Sequence, residues 1–521
     1  MERSKQTVRS RRLIKHMKNG GYIVEKKKKI IVIGGGVSGM SVGIYAQMNG
    51  FESQIIEKHS IAGGICTAWH RKGYRFDYSI QWLVGTREGA FHDTMCETNI
   101  LNDQVQVINA EIHNRNIAKD GTNLVIYTDL ERWKKHLLSI SPIDGKAINK
   151  LARDIRRASH LHPFDIAPAL RTPFQYFKAF FRCFPSLYIA IRHRGKDFTQ
   201  YIKSLNIKSD ILKEKLLNIY GEGDYACYAF LLIMGWYFRK NAGYPIGGSL
   251  AVAERMKSKY ESLGGEFLFK KEVEEIIVEN GSARGVRLTD GSVLEADYVV
   301  SAADGYTTLY KLLKGKFRSP MIDRVYANWK LFTSIVQVSF GINQELKTDY
   351  NIQVVQACGD KIGSTELKHN YRILNYNFDP TMAPEGKSCI IIRYDSPYSI
   401  WEKMSKEEYG EEKKKIEEDA IKILEKHYPG SSQHIEACDV ATPLTTIRYT
   451  GAWKGSYEGF IPTSKNVIQQ LDQKIPNLDH FYLAGQWLFP GGGIPPSVHS
   501  GKWALQLICR DEKKKFVSKP V

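Results

Sequence analysis

No two cysteines in this chain are spaced C-x-x-C, and none of the eight pairs with a histidine at metal-ligand spacing. No metal site is therefore expected, and the thiols read as buried or free in a reducing cytosol. No apolar run reaches the roughly 20 residues that a membrane-spanning helix needs. Tyr225 to Phe238, YACYAFLLIMGWYF, is fourteen uncharged residues, which predicts a buried helix or a pocket wall. The first residues hold no apolar core of signal-peptide length. There is no internal repeat and no second complete G-x-G-x-x-G. No catalytic histidine or carboxylate pair stands out. His70, His92, His162 and His499 read as surface, capping or packing residues.

Acidic residues are in deficit. Lys and Arg number 74 against 56 Asp and Glu, a formal net charge of +18. Residues 1–29 hold eleven basic residues against Glu2 and Glu25, a net +9, and residues 510–521 hold five against Asp511 and Glu512, a net +3. The ends carry most of the excess, so the body is only mildly basic, which argues against a nucleic-acid groove. Basic ends suit an anionic membrane surface, at about 1 kcal/mol per residue near it, or else two solvated tails. The expected place is the cytoplasm, peripheral on the inner face of the membrane.

The chain does have a dinucleotide-binding stretch, Ile30 to Glu57. Ile30 to Ile33 read as a short buried parallel strand. Gly34, Gly36 and Gly39 follow as G-x-G-x-x-G where strand becomes helix. The first allows the tight turn, the second lets a pyrophosphate approach the backbone, and the third lets the helix pack on the strand. Gly43 keeps the same helix face small, and Gly50 is a natural stop. A second strand, Gln54 to Ile56, ends at Glu57, about 20 positions on, where such sites place the carboxylate that binds a ribose hydroxyl.

The 521 residues suggest two to four domains. Gly63-Gly64 offers a second close approach of backbone to cofactor, and Phe76-Asp77 ends a short strand. Asp129 is placed to cap a helix beginning LERWKKHLL. Phe174 to Arg192 has Phe174, Phe177, Phe181, Phe184, Tyr188 and Ile191 at helical spacing among Lys178, Arg182 and Arg192. That predicts an amphipathic helix broken near Pro185, either an interfacial contact, the lid of an apolar tunnel or a core-facing helix. After Tyr244 a helix, Ser249 to Leu263, leads to short strands with Asn280-Gly281 and Asp290-Gly291 at hairpin turns. Strands are also expected at Ser334–Gly341 and Ser388–Tyr394, and a solvated charged helix from Lys406 to Lys426. The last unit is a strand, Phe481 to Ala484, then Gly485 and the run Pro490 to Pro496, then a helix from Ser497 to about Arg510.

Taken in order, these motifs carry a resemblance. Gly34/Gly36/Gly39 with Glu57, Gly63-Gly64, Phe76-Asp77, Tyr244 to Gly248, Val273, Val300 to Asp304, Thr442 to Leu444, Arg448 to Gly451, and Ala484-Gly485 with Gly491 to Pro495 resemble the phytoene desaturase-like flavoproteins. That group includes bacterial carotenoid desaturases, carotene cis–trans isomerases and retinol saturase. Cys66 after the paired glycines and Gln486 after Gly485 lean toward the saturase and isomerase branch. Ile65 stands where bacterial desaturases usually carry a basic residue. The resemblance implies an α/β fold: a Rossmann-like FAD-binding domain of the amine-oxidase type with an inserted α+β substrate domain. The FAD-binding domain would be discontinuous, over 30–100, 244–310 and 440–510. Residues 101–243 and 311–439 would be substrate-binding insertions, 1–29 a disordered basic extension and 511–521 a basic tail.

The resemblance also implies FAD, with NAD(P)H or another external electron donor or acceptor. Gly34, Gly36, Gly39 and Glu57 would hold pyrophosphate and ribose, and Val273 would lie by the adenine. Gly63, Gly64, Gly485, Gln486, Gly492, Gly493, Ile494 and Pro495 would surround the isoalloxazine. The helix start at Pro495-Pro496-Ser497 is expected to aim free N–H groups and a partial positive charge at the reduced flavin. Gln81, Trp82, Tyr449 and Trp487 are candidate walls of the substrate pocket. Three functions follow. One is an FAD-dependent oxidoreductase saturating or desaturating a carbon–carbon bond of a hydrophobic polyene, retinoid-like or other lipid substrate. The second is an FAD-dependent double-bond isomerase without net redox change. The third is a membrane-surface flavin-binding protein without turnover.

Overall fold

The computed structural model describes residues 27–219, 224–357 and 359–519, together with the backbone pairing of Lys15–His16 with Tyr22–Ile23. Most of the basic extension expected over 1–29 lies outside the described residues.

The chain's organising unit is a five-stranded parallel sheet drawn from distant segments. Its first strand, β1 (Lys29–Ile33), is apolar and covered from Ile30 onward, as a strand flanked by helices on both faces must be. The helix α1 (Val37–Met48) follows without any capping side chain, because Gly36 brings the backbone straight into the helix. β2 (Glu52–Glu57) pairs with β1. Then the chain leaves for almost 200 residues. It returns with α2 (Gly248–Ser262), β3 (Glu266–Phe269) and β4 (Tyr298–Ser301), leaves again, and ends with β5 (Phe481–Leu483) and α3 (Ile494–Asp511). The sheet order is β3-β2-β1-β4-β5, all parallel. Strand order reverses at β1, where ligands of such sheets bind. An antiparallel meander, Val273–Glu279, Ser282–Leu288 and Val293–Glu295, joins β3 to β4. Asn280 and Gly281 both take positive φ at its first turn, as a tight hairpin asks.

Close packing holds α1 in place. A Cβ on Gly43 would meet Tyr260 of α2 at 2.6 Å and Ile55 of β2 at 2.9 Å. A Cβ on Gly501 of α3 would meet the Ser41 hydroxyl at 2.6 Å, and that hydroxyl donates to the Val498 carbonyl. The first and last helices of the described chain therefore pack backbone to backbone.

The second layer is a seven-stranded mixed sheet. Its order is Asn123–Tyr127, Ile112–Ile117, Ile352–Gln356, Asn370–Asn375, Ser388–Asp395, Ile335–Ile342 and Ile435–Ala441. The helix Lys406–His427 covers one face through Ile416, Ala420 and Leu424, so it is solvated on one side only. The other face looks toward the parallel sheet. Between them a helical group closes one side, with the fully apolar helix Cys227–Phe238 at its centre.

Two expectations need correction. Pro173–Arg192 is one continuous helix with Pro185 inside it, not a broken one. Its buried side, Cys183, Ser186 and Ile189, spans the proline and holds both halves in line. Phe181, whose carbonyl Pro185 leaves without a backbone donor, is exposed to water. Likewise α3 begins at Ile494, not Ser497, because prolines fit the first turn, where N–H groups have no helical partner.

Candidate active site

The turn after β1 builds the floor. Gly34 has φ +98°, which only glycine adopts without strain, and its N–H donates to the Ile56 carbonyl at 2.8 Å. A Cβ on Gly39 would lie 1.9 Å from the Gly34 carbonyl, so Gly39 lets helix and turn touch. It faces packing, not the cavity. A Cβ on Gly36 would meet nothing closer than the Gly63 carbonyl at 3.8 Å. Gly36 is bare for the sake of the space in front of it. Glu57 lies at the end of β2, its carboxylate accepting the N–H of Gly35 and of His59, both at 2.7 Å. The Ser38 hydroxyl is buried, lines the same space and has no hydrogen-bond partner. A buried orphan hydroxyl beside a glycine floor fits the phosphate of a dinucleotide.

Gly34, Gly36 and Glu57 open on a cavity of about 1050 Å³. That exceeds the usual small-ligand range of about 300–1,000 Å³ and suits a dinucleotide with a second molecule beside it. Gly63, Gly64, Val273, Gly485, Gln486, Gly492, Gly493, Ile494 and Pro495 line it too, as do Gln81, Trp82, Tyr449 and Trp487. The sequence-derived set thus converges on one space, apart from Gly39. Tyr449 is 44% exposed and stands at its rim, against His59 at 5.0 Å. Trp487 gives the cavity only an edge, since it packs on Trp453 and Phe460.

The start of α3 differs from expectation. Pro495 and Pro496 have no N–H, and that of Ser497 donates to the Gly493 carbonyl. The Gly493 N–H donates to the Gln486 side-chain oxygen, while the Gln486 amide donates to the Tyr457 carbonyl. Only the dipole of α3, not a row of free donors, points into the cavity.

Phe76-Asp77 and Gly247-Gly248 act on the wall rather than on a ligand. The fully buried Asp77 carboxylate accepts from the N–H of Ser79, Ile80 and Ser249 and from the Ser249 hydroxyl, at 2.6–3.0 Å. Burial raises its pKa against these bonds. A Cβ on Gly248 would meet that carboxylate at 2.3 Å. This staple fixes Ser79 to Val84, one side of the cavity. Cys66 donates to the Ser249 carbonyl, and burial pushes its thiol up, so it stays protonated. His499 is a packing residue, held between the Thr94 hydroxyl at 2.8 Å and the Phe164 carbonyl at 2.7 Å.

Away from the glycines the cavity turns apolar, between Trp82, Leu83, Tyr228, Leu232 and Trp236. The helix expected as a pocket wall supplies three of these. Sequence reading missed the opposite side. Arg372, Arg393, Asp395 and Glu458 also line the cavity, three of them from the mixed sheet. Arg372 and Arg393 are register partners on adjacent strands. Single charges in strand-like stretches resemble ordinary surface residues until the pairing is known.

Known proteins agree with this geometry. The model of the family "Flavin containing amine oxidoreductase" matches residues 37–509. A chloroplastic prolycopene isomerase of Daucus carota is 23% identical over 510 residues, covering 92% of this chain and 79% of its own. A neurosporene-forming phytoene desaturase of Cereibacter sphaeroides is 23% identical over 502 residues, covering 91% of this chain and 93% of its own. Among solved structures, an oxidoreductase from Methanosarcina mazei superposes with a TM-score of 0.63 at 15% identity, over 92% of this chain and all of that one. Cyclohexylamine oxidase of Brevibacterium oxydans gives 0.60 at 13%, over 94% of this chain and all of its own, which speaks for the fold alone. The cofactor of this fold is FAD. Because the family match runs from the first residue of α1 to the last turn of α3, it takes in both walls of the cavity, and the chain belongs to the flavin containing amine oxidoreductases, with the carotenoid desaturases and isomerases as its relatives.

Proposed function

We propose that this protein is an FAD-dependent oxidoreductase that saturates or desaturates a carbon–carbon bond in a hydrophobic polyene or related lipid. The carrying observation is a single cavity that joins a glycine-floored dinucleotide cradle to an apolar aromatic arm. In this reading Gly34, Gly36, Ser38 and Glu57 hold pyrophosphate and ribose, with Gly39 supporting the turn. Val273 lies by the adenine. Gly63, Gly64, Gly485, Gln486 and the Gly492–Pro495 run surround the ring. Trp82, Leu232 and Trp236 seat the substrate chain, with Gln81, Tyr449 and Trp487 at the edges. The bound flavin supplies hydride acceptance or donation; the protein supplies orientation and a dry site. Residues 30–100, 244–310 and 440–510 form the FAD-binding domain, and 101–243 with 311–439 choose the substrate.

The similarity to prolycopene isomerases favours a second reading, isomerisation by reduced FAD with no net redox change. One experiment separates the two. The purified protein is reduced anaerobically and mixed with phytoene or prolycopene. Flavin reoxidation with a product two mass units heavier marks saturation. Oxidised enzyme bleached by substrate marks desaturation, and unchanged mass with shifted retention marks isomerisation. A colourless protein that takes up no added FAD sinks both. A yellow protein inert to every polyene and every acceptor leaves the third reading, flavin binding without turnover.

Such substrates live in membranes. No described helix is long and apolar enough to cross one. Yet Pro173–Arg192 exposes Phe174, Phe177, Phe180, Phe181, Phe184 and Ile191, at 47–73%. Residues 173–196 hold five basic and no acidic residues. The helix's buried face packs on the segment that lines the cavity, with the Ser186 hydroxyl 2.8 Å from the Tyr228 hydroxyl. We read this helix as the contact with an anionic membrane surface beside the substrate's entrance, the protein being peripheral on the cytoplasmic side. Replacing Phe177 and Phe181 by Ser is expected to lower binding to anionic vesicles at least tenfold. Undiminished binding would reject the assignment.

A further inference from the structure

The proposed reaction moves a proton as well as a hydride, and the hydroxyl of the apolar arm, on Tyr228, is engaged with that of Ser186. Beside the glycine run of the cavity stands a carboxyl that the sequence reading did not use. The Glu458 carbonyl lies 2.5 Å from where a side chain on Gly492 would start, and Glu458 Oε1 lies 3.1 Å from the same point on Gly493. Those two glycines are bare against Glu458, at the N-terminus of α3. The guanidiniums of Arg372 and Arg393 face it from the mixed sheet. Arg393 is nearly buried, donates to the Tyr78 carbonyl and to Gln337, and leaves its Nε without a partner. Asp395 and Tyr457 are the other titratable groups of the cluster.

We propose that Glu458 is the acid–base residue of the oxidoreductase reaction. In desaturation one C–H bond breaks and its electron pair leaves as hydride to the flavin. The neighbouring C–H bond breaks, its pair becomes the new C=C bond, and its proton bonds to the Glu458 carboxylate. Saturation runs the same steps backward, with the protonated carboxyl as donor. This inference rests on the oxidoreductase reading above. Other candidates in the cavity are less fit. Both His499 nitrogens are engaged, the Cys66 thiol is engaged and held protonated, Tyr449 stands at the rim, Asp395 lies on the sheet beside Arg372 and His369, and both Asp304 carboxylate oxygens accept backbone N–H groups, of Thr307 and Trp453. Burial pushes the Glu458 carboxyl up to about 7, against the pull of Arg372 and Arg393. A group near neutrality takes and gives a proton with equal ease, which is what acid–base catalysis asks.

The test uses FAD-loaded wild type, Glu458→Gln and Glu458→Asp. The visible spectrum of bound flavin is followed from pH 5 to 9, without substrate. Wild type is expected to show a transition near pH 7 that Glu458→Gln lacks. With phytoene or prolycopene, Glu458→Gln is expected to lose about 10²- to 10⁴-fold in turnover, with FAD content and KM unchanged and partial recovery in Glu458→Asp. Turnover rising through pH 7 marks Glu458 as base, hence desaturation; turnover falling marks it as acid, hence saturation. A spectral transition that survives in Glu458→Gln, or is missing from wild type, overturns the proposal whatever the substrate. So does turnover within threefold of wild type. Inert wild type with a normal spectral transition sinks the polyene reading instead.

Discussion

At the scale of single residues, the three glycines of the turn make opposite demands. Gly39 is bare because of protein: its Cβ would meet a carbonyl at 1.9 Å. Gly36 is not required by protein: its Cβ would meet protein no closer than 3.8 Å, its φ of −70° suits any residue, and on the proposed reading the cofactor is what keeps it bare. Gly36→Val is therefore expected to leave the thermal midpoint within a few degrees and to abolish FAD retention, as read by the flavin absorbance of the purified protein. Gly39→Val should instead fail to accumulate as soluble protein. A yellow Gly36→Val variant would refute the site. Asp304, which also lines the cavity, gives a pH test. Its carboxylate accepts from the N–H of Thr307 and Trp453, yet burial raises it from 3.8 to about 6. A raised carboxyl costs nothing at low pH, where both states are protonated. The cost grows as pH climbs from about 4 to 6 and then stays constant, at roughly 3 kcal/mol for two units. Asp304→Asn should therefore gain on wild type in urea unfolding as pH rises across that window. A difference that is flat with pH would contradict the shift.

At the scale of elements, legibility depends on how local the information is. The β1–α1–β2 unit, the Asn280-Gly281 hairpin and the capping of Leu130–Ile140 by Asp129 each sit in a few consecutive residues, and the sequence expectations match the structure within a few positions. Of the seven-stranded sheet only Ile335–Ile342 and Ser388–Asp395 were recognisable, because both are buried on both faces. Its other strands carry charges such as Arg115 and Arg372, and one pairing that joins them, Val354 beside Asn116, spans more than 200 residues. The charged wall of the cavity was invisible because Arg372, Arg393 and Asp395 come together only through the pairing of two strands, one of them recognised. One ion pair between elements makes a further test. Lys502 of α3 is buried, 2.8 Å from Glu97 and 2.6 Å from Asp165, and Glu97 also accepts from the Tyr45 hydroxyl of α1. Removing one member of a buried pair leaves the other charge unpaired, at a cost of about 3–5 kcal/mol. Lys502→Met should lower unfolding stability toward the low end, because Asp165 is half exposed and can hydrate. A loss under 1 kcal/mol would mean that Glu97 is satisfied by Tyr45 alone.

For the whole molecule, the order of segments sets what can fold. The dinucleotide fingerprint occupies residues 30–57, but the sheet it belongs to is finished only by β5, and α1 is covered by α3. In α3 nearly every side chain from Pro495 to Cys509 is buried, so it is a core helix and not a tail. A chain ending at Ala441 keeps the entire fingerprint, Val273 and the mixed sheet. It loses the strand beside β4, the cover of α1, Glu458 and the glycine run of the cavity. Local motif and global site therefore make different forecasts for it. If the fingerprint alone held the dinucleotide, the shortened chain would remain yellow. Cooperative packing says that exposed Ile44, Val300 and their neighbours drive it to aggregate or to a loose state with exposed apolar surface. The expected outcome is a protein recovered, if at all, without flavin absorbance and with raised binding of a hydrophobic dye. Adding the missing residues 442–521 as a separate chain during refolding should restore part of the bound FAD. Flavin retained by the shortened chain alone would show that the parallel sheet is stable without its last strand.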